Sequence, residues 1–137
     1  MDASFHSRER TRILARILGP FLILVPGIIA LRAGSLNSMM AGFFETPVIV
    51  WILGGQLLLM GLLIIAFHQY WSSPEAVLIS LFGWFLGIRG AILMAMPDMM
   101  QSGVEFSLDY LWPIRIGFSF LVLCGAWLFY IGWIRKV

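Results

Sequence analysis

The chain has 137 residues, of which 61% are hydrophobic and only 12% charged. A soluble domain carries about 25% charged residues, so solvation alone excludes a soluble globule. The net charge of +2 gives no reason to expect nucleic acid, because six of the nine basic residues flank the apolar stretches on one side, where membrane orientation would put them.

Arg8, Arg10, Arg12 and Arg16 lead into a first apolar stretch at residues 13–31. The other three stretches run over 47–67, 76–96 and 111–133. A helix crosses a bilayer with about 20 mostly apolar residues, and all four qualify. A removable signal peptide would share the basic lead of the first stretch. That run is long, however, contains Pro26 and Gly27, and ends at Arg32 instead of a small-residue cleavage site, so a retained span is expected. Pro26 removes a backbone donor and is expected to bend the first helix. His6 falls in a lead expected to be mobile.

No Lys or Arg occurs between Ala33 and Ile88. The segment 33–46 carries only Glu45, and the segment 97–110 carries Asp98, Glu105 and Asp109. Arg135 and Lys136 follow the fourth stretch, just before Val137. Basic flanks hold a segment on the cytoplasmic side, which places both termini inside and the two acidic segments outside. Arg32 runs against this pattern, but a single arginine can snorkel to headgroups. Tyr70, Trp71 and Trp133 suit the inner boundary and Trp51, Tyr110 and Trp112 the outer one. The short tails and clean charge bias suggest a bacterial inner membrane. The expected fold is an all-α bundle of four transmembrane helices forming one domain, since about 50 residues outside the spans are too few for a second core. Residues 38–44 and 102–108 are expected to lie as short amphipathic turns at the interface.

Residues 17–69 align without gaps on 81–133, with nine identities, among them Gly19/Gly83, Leu22/Leu86 and Gly61/Gly125. The chain is therefore expected to contain two tandem helical hairpins, 12–72 and 76–136, related by an axis along the membrane normal. Arg89 aligns with Val25 and Arg115 with Trp51, so neither charge is duplicated.

Lipid gives helices no hydrophobic reason to associate, so small residues mark the contacts. Gly83, Gly87 and Gly90 share one face of the third span. Gly54, Gly55 and Gly61 in the second span and Gly117 and Gly125 in the fourth are the matching packing points. The alternative use of Gly83 and Gly87 is a seam between two copies.

Arg89 and Arg115 interrupt the last two spans, and a charge at that depth costs about 2.5–3.5 kcal/mol. At about 1.5 Å per residue from the outer ends, Arg115 lies roughly 6 Å deep, Arg89 roughly 10 Å, Ser119 roughly 12 Å and Gln56 roughly 14 Å. These four are expected to face the bundle interior as one layer, with Glu45 and Asp109 above it. Such a layer either fixes the helices through ion pairs or binds an anionic group. Met94, Met96, Met99 and Met100 offer soft thioethers of the kind that suit Cu(I), without a His or Cys beside them. Cys124 is the only cysteine, and His6 and His68 cannot form a bis-His haem site. The chain shows no catalytic triad, HExxH or glycine-rich phosphate loop, so no cofactor and no catalysis are expected. The expected role is a non-enzymatic accessory or assembly subunit, with a protein partner or further copies in the bilayer. The alternative is an oligomeric transporter or channel that selects an anion with its arginines.

Overall fold

The structure, a computed structural model, is all-helical, and four helices are long and apolar enough to cross a membrane. It describes residues 2–135, with the side chains of 5–40 and 42–135. Lys136, read above as part of the basic C-terminal flank, lies outside the described residues.

Helix α1 runs Asp2–Leu31 and absorbs the arginine-rich lead that was expected to be mobile. Between Asp2 and Leu18 there is neither Gly nor Pro, and the Arg, Ala, Leu and Glu residues there are good helix formers. Pro20 and Pro26 lie inside α1 without ending it. A membrane helix tolerates the missing donors because neighbouring groups take up the freed carbonyls. A 3-10 turn at Ala33–Ser35 leads to the short α2 (Leu36–Ala41) and then to α3 (Pro47–Phe67). Next come α4 (Pro74–Ala95), α5 (Pro97–Leu108) and α6 (Leu111–Phe129), which closes in a π turn at Tyr130–Ile134.

Helices α3, α4 and α5 each have proline in the first turn, where its missing N–H has no intrahelical partner to lose. Ser73 caps α4, its Oγ accepting from the Ala76 N–H at 3.3 Å. Glu75 stands in that first turn, where the helix dipole favours an anion. Of the segments expected as interfacial turns, 102–108 is helical within α5, whereas 38–44 is helical only to Ala41, the end of α2, and continues as a turn.

The helices associate as two pairs, α3 with α4 and α1 with α6. Spans adjacent in sequence pair in only one case; α1 does not pack along α3, nor α4 along α6. The two pairs meet mainly through α1 and α4. Ala15, Leu18 and Leu22 of α1, Ile64 of α3, Ile79 and Leu86 of α4 and Leu128 of α6 form the core there. Elsewhere the apolar side chains face outward: Trp51, Ile116, Phe120 and Leu123 are all more than half exposed. Apolar faces turned outward in this way are what helices long and apolar enough to cross a membrane would present to lipid.

Glycine sets both seams. A Cβ at Gly61 would enter the Gly87 backbone, one at Gly90 the Leu58 backbone, and one at Gly83 would meet Ile64. In the other pair a Cβ at Gly125 would lie 2.9 Å from the Ile23 nitrogen, and one at Gly19 would lie 2.6 Å from the Phe129 nitrogen. Gly83 and Gly87 are thus occupied by α3, which leaves no free seam there for a second copy.

Candidate functional site

The polar layer expected inside the bundle lies on its surface. Arg89, Arg115, Gln56 and Ser119 are exposed, as are Glu45 and Asp109 at the loop end. Among the described residues none of these six side chains forms an ion pair or hydrogen bond with another. The interior orientation expected for Arg89 is overturned: Gly87 and Gly90 turn toward α3, and Arg89 projects from another side of α4. Its guanidinium carbon stands 5.9 Å from the centre of the Phe85 ring, within cation–π range. Phe85 is one turn further from Ala95, so the charge leans toward the middle of the helix. Side chains on a helix tilt toward its N-terminus, which favours that direction.

At the loop end, α2 with the residues after it faces α5 across a cavity of about 320 Å³. One wall is Asn37, Met40, Phe44 and Glu45; the other is Gln101, Val104, Glu105 and Leu108. Gln101 donates to Glu105 Oε1 at 2.8 Å. Glu45, alone of the six expected layer residues, lines this cavity. A smaller recess of about 160 Å³, lined by Pro47, Trp51 and Pro97, shares Phe44 and Gln101 with this cavity. Two carboxylates and two amides among apolar side chains present acceptors and donors without a nucleophile or a general base poised on a partner.

The methionines do not gather into a donor set. Met94 packs its Cγ against Gly54 in the α3–α4 seam, while Met96 and Met99 are more than half exposed. Among the described residues no group of three His, Cys, Asp or Glu is placed to hold a metal ion.

The termini end holds a buried polar cluster that the sequence reading left unassigned. His68, directly after α3, is fully buried, as is Ser80 of α4, and Thr11 of α1 is nearly so. The Thr11 hydroxyl donates to the Ser7 carbonyl at 2.8 Å, and His68 Nε2 lies 2.9 Å from Thr11 Oγ1. The neutral ring carries one proton, and the tautomer sets whether it is given to Thr11 from Nε2 or to Ser80 from Nδ1. Nδ1 is 3.1 Å from Ser80 Oγ, which also reaches the Tyr70 carbonyl at 3.0 Å and the His68 carbonyl at 3.3 Å. Burial pushes the His68 pKa below its ordinary 6.5, against a smaller opposing effect of a hydrogen bond to its own backbone. The three residues tie α1, α3 and α4 together where the two helix pairs meet. The signal available in sequence was Ser80 two turns into an apolar helix and His68 just before the reversal at Pro74; nothing in sequence indicated Thr11.

Comparison with family models, with curated proteins and with solved structures finds no match to this chain.

Proposed function

We propose that this chain is a non-enzymatic subunit of a bacterial inner membrane assembly, with both termini cytoplasmic, that holds a second membrane protein through the α4 face carrying Arg89. The observation that carries this reading is Arg89 itself, exposed and leaning toward mid-helix. Facing lipid, such a charge costs about 2.5–3.5 kcal/mol, and the partner that offsets it best is a carboxylate from a neighbouring helix. A second copy has no such carboxylate. The seven acidic residues are Asp2, Glu9, Glu45, Glu75, Asp98, Glu105 and Asp109, and none falls within a span at the depth of Arg89. A different protein is therefore the better fit.

The reading includes a repeat of 12–72 in 76–136. It is supported by core residues 64 positions apart: Ala15 with Ile79, Leu22 with Leu86, and Ile64 with Leu128. The Gly61–Gly87 approach has its counterpart in Gly125–Ile23. The bond from Ser80 to the His68 carbonyl has its counterpart in the bond from Arg16 to the Gly132 carbonyl. Across the loop-end cavity, Asn37 faces Gln101, Met40 faces Val104 and Phe44 faces Leu108 at the same offset. A two-fold between the halves maps the α1–α6 pair onto the α4–α3 pair.

Purification from native membranes in mild detergent is expected to give a heteromer of fixed stoichiometry. Arg89→Leu should release the partner while leaving the melting of this chain unchanged. An intact complex in Arg89→Leu would remove the basis of the proposal. A pure homo-oligomer that exchanges anions in liposomes would replace it with the transporter reading.

A further inference from the structure

At the termini end, two arginines of α1 converge on one atom of α6. Arg16 Nε donates to the Gly132 carbonyl at 2.8 Å, and Arg12 Nε donates to the same oxygen at 3.4 Å. The close approach depends on glycine: a Cβ at Gly132 would lie 2.8 Å from the Arg16 nitrogen and 2.9 Å from its Cγ. The π turn at Tyr130–Ile134 ends the helix here, and its last carbonyls carry the negative end of the dipole, which draws cations. Trp133 fixes Arg16 from the side: its ring centre is 5.7 Å from the guanidinium carbon, and its indole N–H donates to the Arg16 carbonyl at 3.3 Å.

This arrangement holds two cations together and leaves most of their donors unused. A guanidinium has five N–H donors, and each of these spends one on Gly132. Among the described residues no carboxylate is paired with either arginine. A single carbonyl cannot balance two full charges, whereas a phosphate accepts two guanidiniums through parallel N–H···O bonds. An interfacial tryptophan beside them matches the depth of lipid headgroups.

We propose that Arg12 and Arg16, brought together on the Gly132 carbonyl, bind the phosphate group of an anionic ligand at the end of the α1–α6 pair. The proposal rests on these helices crossing a membrane and is independent of any partner at Arg89. The repeat offset places Ser80 and His68 where Arg16 and Gly132 stand, so the other half has a buried neutral cluster at this level and the phosphate site belongs to one half only.

Native mass spectrometry of the full chain in mild detergent, titrated with phosphatidylglycerol and with zwitterionic phosphatidylcholine, tests it. Arg12→Gln with Arg16→Gln should weaken phosphatidylglycerol binding about tenfold, and Arg8→Gln with Arg10→Gln about twofold, because only the first pair makes directed bonds. Arg16→Lys keeps the charge and the fold but loses the planar fork, and is also expected to bind more weakly. Equal losses in the two double variants would overturn the proposal, as would undiminished binding in Arg16→Lys or equal retention of both lipids by the native chain. Competition with millimolar inorganic phosphate identifies the source: displacement of the lipid assigns the site to free phosphate, and no displacement assigns it to a lipid headgroup.

Discussion

Gly61→Ala is expected to pull α3 away from α4, while Gly117→Ala is expected to leave the bundle intact. The added methyl at Gly61 would run into the backbone of Gly87 and lie 2.8 Å from the Gly83 carbonyl oxygen. Backbone atoms cannot rotate out of the way, so the helices must part. Overpacking of this kind costs about 1–3 kcal/mol. Lipid adds to the loss, because separated helices recover no hydrophobic burial and simply give up their van der Waals contact. Gly117 is exposed and has no atom within 4 Å of an added Cβ. There alanine only restrains the unfolded backbone, and a gain of roughly 0.5–1 kcal/mol is expected. Gly125→Ala, in the α1–α6 seam, should resemble Gly61→Ala. Unfolding in mixed micelles, followed by circular dichroism, gives the comparison. Similar midpoints for Gly61→Ala and Gly117→Ala would show that the seam is not set by backbone contact.

Thr11→Val is expected to destabilise the protein by about 1–3 kcal/mol, because it leaves a buried imidazole nitrogen without its partner while hardly changing shape. The residue is nearly buried, and its hydroxyl is the group within reach of His68 Nε2. The same cluster gives stability a pH dependence of definite sign. Burial holds the folded-state pKa of His68 below 6.5, so as pH falls the unfolded chain takes up the proton first. The contribution of His68 is therefore complete above about pH 6.5 and is lost progressively below it, down to the depressed folded-state value. His68→Gln removes this titration and should flatten that part of the profile. Denaturation midpoints measured across the window for both proteins decide the matter. Parallel profiles would mean that His68 does not titrate on unfolding.

The sequence by itself determined the four long helices. Residues 47–67 form α3 over those bounds, and 76–96 became Pro74–Ala95, because apolar length and a proline in the first turn set where a spanning helix can start and stop. It marked Gly54, Gly61, Gly83, Gly87, Gly90 and Gly125 as points of close approach, but it marked Gly117 as well, which is exposed, and it did not mark Gly19 as a contact. Only the tertiary structure decided which helices pair, that Arg89 turns outward, and that Thr11, His68 and Ser80 meet. The reason is the same in each case. A helix that is apolar on every side has no stripe to mark its buried face, so the pattern that orients a soluble helix is missing. Orientation then depends on where one helix lets another backbone in, and Gly61 opposite Gly87 or Gly125 opposite Ile23 is a property of two helices at once. Arg89 follows from that choice: once Gly87 and Gly90 face α3, the two residues between them, Ile88 and Arg89, point away.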